Sequence, residues 1–404
     1  MSDDDRRPFV NNSSGRNQFS DRPILEDIPD LPERLQKYIN QGVFQREIPA
    51  RLQKDCGKVV SLSYIKKAMK RFQIKTVRRS GLTDVEKGAA ILSVLEQDPL
   101  GRLGGRSIKE KLALTGVHAS RDFTIQFAKA ENPVQAANRH PGTRKVHKHG
   151  IWSSGPNEEW CVDGHEKIAL SMGISVYGIV DKYSRMELAL FAVPNARHSR
   201  VPVLVYLRTV QKLGGMPLSS TSDKGSELGP LISLVQTLRK RYQPHISEEK
   251  VPSHSAVKSP QNVTRERSWR PLWEKHLANI LHFYRIGQSD AGYQSNDDFH
   301  SGLARWLWAK IVQKQLDELL LEHQVHRVRY QAKILLPSGT RRIDMYSSPE
   351  DYGGMDKLIK IPAEDIDRLL AQWEDQSLFR FGTRDEAENY ENLYQSIARN
   401  RLQV

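Results

Sequence analysis

The chain has 404 residues, 38% of them hydrophobic, and a formal net charge of +13. That length suits two to four domains at about 100–200 residues each, and the apolar content excludes global disorder. Its only cysteines, Cys56 and Cys161, exclude a disulfide framework or a Cys-rich zinc module. The charge is uneven: residues 31–150 carry 24 Lys and Arg against 10 Asp and Glu, and the remainder is close to neutral. Such a surplus favours a polyanion, nucleic acid first, because Lys and Arg displace counterions from phosphates. Met1–Asp5 is acidic and polar, so no secretory signal is expected. No apolar run approaches the roughly 18 residues of a membrane helix, so no membrane partner is expected. A reducing compartment, cytosol or nucleus, is the expectation.

Residues 1–28 are rich in Asp, Asn, Ser and Arg and read as a disordered tail. Over 29–80 the pattern predicts three short helices. Leu35, Tyr38 and Ile39 share a face of the first, Gly42 breaks it, and Leu52 lies in the second. Ser61 or Ser63 caps a third, which buries Ile65, Met69 and Phe72. The third helix also carries Lys66, Lys67, Lys70 and Arg71, which suits a helix-turn-helix whose last helix meets duplex DNA. An ordinary three-helix bundle with a solvated basic face is the plainer alternative. Residues 81–133 form a second helical unit, with Ser107 and Ser120 as expected caps and Gly116 as a stop. Residues 134–151 read as a basic linker along phosphates, with Arg144 and Lys145 among its contacts.

The character changes at about Trp152, and residues 152–290 form the next unit. Strands are predicted at Glu159–Asp163, Ile174–Val180 and Met186–Val193, then a helix at Val201–Leu213 and a strand at Pro217–Ser222. A helix at Leu231–Tyr242, a strand at Ser253–Val257 and a long helix over Arg265–Tyr284, kinked near Pro271, follow. The order β-β-β-α-β-α-β-α fits a ribonuclease-H-like sheet. Residues 291–404 read as a mostly helical C-terminal region without a chemical role.

Asp163 ends the first of these strands, Asp223 ends the fourth, and Glu266 opens the last helix. Adjacent strand ends and a nearby helix start can converge. Hard divalent cations need oxygen ligands, and an ion pair about 3.5–4 Å apart needs a shared carboxylate with flanking ones. Such ions serve in-line phosphoryl transfer. Any single acid is more often a surface charge; three at topologically suitable places favour the functional reading. Arg265 and Arg267, beside Glu266, are expected to meet phosphates.

Four motifs carry a resemblance. Trp160-Cys161-Val162-Asp163-Gly164 resembles the first motif of retroviral-type integrase cores, and Asp181-Lys182-Tyr183-Ser184-Arg185 resembles their D-x-x-S-R. Ser222-Asp223-Lys224-Gly225-Ser226-Glu227 is similar to their D-x-G-x-E, and Asn262 to Trp269 resembles N-x-x-x-E-x-x-W. The resemblance covers about 152–285 and is to fungal integrase-core-domain proteins of the retroviral integrase and DDE transposase superfamily. It implies an α/β ribonuclease-H-like core, a mixed five-stranded sheet with helices, between helical N-terminal DNA-binding units and a mostly helical C-terminal segment. It also implies that Asp163, Asp223 and Glu266 bind two Mg²⁺ or Mn²⁺ ions, that DNA 3′ ends are joined to target DNA, and that the protein works as a homo-oligomer on double-stranded DNA in the nucleus. The interval from Asp223 to Glu266 is longer than in retroviral enzymes, with Glu274 as the substitute.

Asp181 is expected to bond its own turn, Glu227 to hold a loop, and His165 to be an ordinary strand-end histidine. His140, His147 and His149 read as solvated linker residues, and Trp306 and Trp308 as packing residues. Two other functions compete with strand transfer. One is a domesticated DNA-binding protein with an inactive core. The other is a nuclease on RNA–DNA hybrids, which would need no helix-turn-helix.

Overall fold

The computed structural model describes residues 28–133, 151–257, 262–332 and 334–401, and the chain divides into two compact units. The first comprises the described residues up to Val94 together with Gly105–Ala130. The second comprises Leu95–Gly104 and those from Glu131 onward.

In the first unit, helices α1 (Leu31–Asn40), α2 (Ile48–Cys56) and α3 (Leu62–Arg71) enclose Leu35, Ile48, Leu52, Ile65 and Met69. The Ser61 hydroxyl accepts the Tyr64 N–H at 3.2 Å and starts α3. α4 (Asp84–Glu96), α5 (Gly105–Leu114) and α6 (Arg121–Glu131) follow, with Ser120 capping α6 through the Phe123 N–H at 3.1 Å. Ser107, expected as a cap, lies inside α5 instead. That helix begins at Gly105, where the missing side chain lets Ile125 approach closer than a Cβ would permit. His118 is buried, with its Nε2 3.0 Å from the Asn40 side-chain oxygen. The first stretch, 29–80, thus shares one compact unit with most of the second, its residues 81–94 and 105–130.

The second unit is built on a sheet of order β3-β2-β1-β5-β6. β1 (Glu159–His165) pairs antiparallel with β2 (Ser175–Asp181), which pairs antiparallel with β3 (Glu187–Val193). Helix α7 (Ala169–Met172) lies between β1 and β2, and helix α8 (Arg200–Leu213) and strand β4 (Gly215–Met216) lie between β3 and β5 (Ser219–Ser222), which runs parallel to both β1 and β6 (His254–Ala256). Helix α9 (Gly229–Tyr242) joins β5 to β6. Every residue of β2 is buried, because both faces are covered. On one face Trp160, Val162 and Ile179 pack under α8 and α9. On the other, Val176 and Leu190 pack under α10 (Val263–Leu272), α11 (Ala278–Asp290) and α12 (Asp298–Val325). The expected kink past Pro271 is a π-helical turn, Trp273–Leu277. The ring nitrogen of proline has no N–H to give, and a widened turn absorbs the loss.

The C-terminal region does not stand apart from this core. After α13 (Arg342–Ser347), strand β7 (Ile359–Lys360) pairs antiparallel with β4, and α14 (Ala363–Trp373) lies against α8. Ile359, Ile361, Ile366 and Leu370 belong to the same buried cluster as Trp160. α15 (Arg384–Arg401) packs on α12 through Tyr390, whose ring lies 5.9 Å from that of Trp306. α12 also protects the sheet edge: the Gln313 side chain accepts the Ala192 N–H at 2.8 Å and donates to the Leu190 carbonyl. No helix among the described residues is long and apolar enough to cross a membrane.

Candidate active site

β1 and β5 run parallel with Cys161 beside Thr221. Asp163 and Asp223, each two residues further on, therefore share one end of the sheet. His254 braces the approach to Asp223. Its ring nitrogens lie 2.8 Å from the Ser220 hydroxyl and 2.9 Å from that of Ser222, tying β6 to β5. Burial pushes this imidazole down to about 4, so it is neutral near pH 7. Glu266 lies exposed in the first turn of α10.

Burial pushes the largely buried Asp163 carboxyl up to about 6. The Trp269 N–H and the Arg265 charge draw it down, and the charge of Asp223 raises it. Burial also raises Asp223, helped by the negative charges of Glu227 and Glu266. Asp223 links the acids at this end of the sheet: its charge raises Asp163, and those of Glu227 and Glu266 raise it. Glu227, expected only to hold its loop, is one of them, and its side chain folds back over Gly225. Glu274, the substitute for Glu266, is instead ion-paired to Arg270 at 2.8 Å.

An oxygen-only donor set in which burial and neighbouring negative charge raise the Asp163 and Asp223 carboxyls has the chemistry that suits a hard divalent cation. Among the described residues, no three His, Cys, Asp or Glu side chains are grouped to hold a metal ion as they stand. Both carboxylate oxygens of Asp163 are engaged within the protein. Its Oδ1 accepts the Gly164 N–H at 2.8 Å and its Oδ2 accepts the Trp269 indole N–H at 2.8 Å.

The basic residues divide. Lys66, Lys67, Lys70 and Arg71 are exposed on α3, and Arg267 is exposed beside Glu266. Arg265 is not at the surface, contrary to the reading that set it against phosphates. It is fully buried, ion-paired to Glu187 of β3, with its guanidinium 3.5 Å over the centre of the Trp269 ring. The physical reason is helical spacing: Arg265 stands four residues before Trp269 and shares its inward face. Arg144, Lys145, His140, His147 and His149 lie outside the described residues.

Asp181 bonds its own turn, as expected. It is fully buried and accepts the Ser184 N–H and hydroxyl and the Asn157 N–H. His165 is buried with its ring 4.9 Å from that of Trp269. Trp308 meets Tyr284 edge-on, a packing role like that of Trp306. Trp269 is the site residue that the sequence placed in the Asn262-to-Trp269 motif without giving it a role. Its position three after Glu266 was the available signal.

Residues 152–335 match the family model described as integrase core domain. The match covers less than half of the chain and is a likeness of this segment to integrase core domains. The mixed five-stranded sheet with its helices fits a ribonuclease-H-like integrase core. Among solved structures, the chain is similar to one from the intasome of simian T-cell lymphotropic virus in complex with PP2A regulatory subunit B56 gamma. The identity is 14% over 62% of this chain and 74% of that one, with a TM-score of 0.29. No curated protein matches the chain.

Proposed function

We propose that this chain is a DDE-type polynucleotidyl transferase, an integrase derived from a transposable element, that joins DNA 3′ ends to target DNA. The observation that supports this best is the shared electrostatic neighbourhood of Asp163, Asp223 and Glu266 at the ends of β1 and β5 and the start of α10. These three would hold two Mg²⁺ or Mn²⁺ ions, which when bound supply positive charge at the scissile phosphate and activate the attacking hydroxyl. The chain's own residues orient and attract. Trp269 holds the Asp163 carboxylate, and exposed Arg267 stands ready for a phosphate beside Glu266. Lys66, Lys67, Lys70 and Arg71 of α3 grip duplex DNA, with Arg144 and Lys145 following the same strand. On this reading the protein works as a homo-oligomer on DNA in the nucleus and is akin to fungal integrase-core proteins.

A second reading, a domesticated DNA-binding protein with an inert core, is favoured by the engagement of both Asp163 oxygens within the protein. One assay separates them: purified protein, labelled duplexes carrying candidate element ends, and Mg²⁺ or Mn²⁺ against EDTA. End-joining by the wild type should fall by on the order of 100-fold or more in Asp163→Asn and Asp223→Asn, the loss typical of removing one charge-placing group. Glu266→Gln should fall with them and Glu274→Gln should not. Equal joining by wild type and Asp163→Asn would sink the catalytic claim. A wild type that neither joins ends nor binds Mn²⁺ in calorimetry would establish the inert reading.

A further inference from the structure

A column of four side chains leads from β3 to the acids. Glu187 pairs with Arg265, Arg265 stacks on Trp269, and Trp269 donates its indole N–H to Asp163 at 2.8 Å. Three features show that this is built rather than incidental. First, Arg265 is fully buried, yet its Nε and one Nη have no acceptor. A buried ion pair seldom repays its desolvation, and apolar side chains of the same volume would fill the space at no loss of stability. Second, the strand makes room for it. At Gly178, the β2 partner of Asp163 in the ladder, a Cβ would lie 2.6 Å from the Arg265 guanidinium and 2.7 Å from the Leu190 side chain, so those side chains would have to shift. Third, the column joins the two elements that supply acids, since α10 carries both Glu266 and Trp269 while β1 carries Asp163.

We infer that Trp269 is a positioning residue: its indole N–H sets the orientation of the Asp163 carboxylate and ties the helix bearing Glu266 to β1, while Arg265, anchored by Glu187, fixes the plane of the indole. An apolar filler would give the same packing without the donor or the fixed plane. This inference rests on the proposed role of Asp163. A group that orients a ligand side chain is expected to change metal affinity by about 10-fold when lost.

The test uses the full-length protein. The chain has seven tryptophans, and the indole N–H signal that disappears in Trp269→Phe is assigned to Trp269 in a ¹H–¹⁵N spectrum recorded without metal. Asp163→Asn should move that signal upfield, and Asp163→Ala should move it further, as a charged acceptor and then any acceptor is removed. Trp269→Phe keeps an aromatic face for Arg265, so its unfolding midpoint should stay close to that of the wild type while Mn²⁺ binds about 10-fold more weakly in calorimetry. Arg265→Lys, which keeps the charge for Glu187 but not the stacking plane, should broaden the same indole signal. A Trp269 signal indifferent to Asp163→Ala overturns the inference, as does Mn²⁺ binding by Trp269→Phe at wild-type strength. Failure of the wild type to bind Mn²⁺ would instead overturn the functional reading, and the indole signal would then decide the pairing on its own.

Discussion

Asp181 and Arg265 are both fully buried ionisable groups close to the sheet, yet only one was readable in advance. The turn Asp181-Lys182-Tyr183-Ser184-Arg185 announces its own hydrogen bonds, because an Asp at the end of a strand finds local N–H donors within three residues. Arg265 obeys a rarer rule. Arg is almost never fully buried unless paired, and its partner Glu187 lies 78 positions away, out of reach of any local pattern. Asp181 also yields a test of linkage. Burial pushes its carboxyl up to about 6, against the downward pull of Ser184 and Asn157. The folded state therefore holds the proton more tightly than the unfolded chain, whose Asp titrates near 3.9. The stability this contributes is fully present below about pH 4 and is lost as pH rises through about 6. In Asp181→Asn that dependence is absent. The stability of the wild type relative to the mutant, read from urea unfolding at pH 4 and pH 7, should fall by roughly 1–3 kcal/mol across the interval. A constant difference would count against a raised pKa for Asp181.

Helix α3 separates two kinds of lysine argument. Its inner face, Ile65, Ala68 and Met69, is buried, and the basic residues stand on the outer one. A replacement there acts on binding rather than on folding. Changing Lys66, Lys67 and Lys70 to Gln should weaken duplex binding, and the slope of log K against log salt should shallow by about 0.9 for each phosphate no longer neutralised. The unfolding midpoint should hardly move. An unchanged slope would remove α3 from the interface. At this level most of the protein was readable. The strands at Glu159, Ser175, Glu187, Ser219 and His254, and helices α8 and α9, start within a few residues of where apolar alternation and the Gly214-Gly215 stop place them, whereas the short α7 was not foreseen. Such patterns are local, and one turn of periodicity is enough to reveal them. The pair β4–β7 was invisible for the opposite reason: each strand is two residues long, and they lie far apart in the chain.

The C-terminal region was the main gap in the sequence reading, because its role is set by what it covers. Residues 349–361 return to the start of β1. The Met355 N–H bonds the Ser154 carbonyl at 3.1 Å, and the Lys357 N–H bonds that of Pro156 at 2.9 Å. Asn157, held in a left-handed conformation, gathers the Trp160 indole, the Tyr346 hydroxyl and the Asp356 carboxylate on its side chain. A chain ending at Leu335, where the integrase core match stops, would lose Ile359, Ile361, Ile366 and Leu370 from the main core. At about 1.5–3 kcal/mol for each side chain buried, that loss rivals a typical net stability of about 5–15 kcal/mol. The truncated chain should show no cooperative unfolding transition and should bind a hydrophobic dye; a sharp transition would mean that the covering segment is dispensable. The same closure governs how the protein is made. Asn157 and Asp356 are 199 positions apart, and synthesis at about 5–20 residues per second separates their emergence from the ribosome by roughly 10–40 s. In the later part of that interval, once β6 has emerged, the apolar face of α8 waits for α14 beside a sheet whose five strands are all made. Chaperone occupancy, and losses to aggregation when chaperones are scarce, should therefore concentrate on nascent chains that have passed Leu213 but not yet reached Leu370.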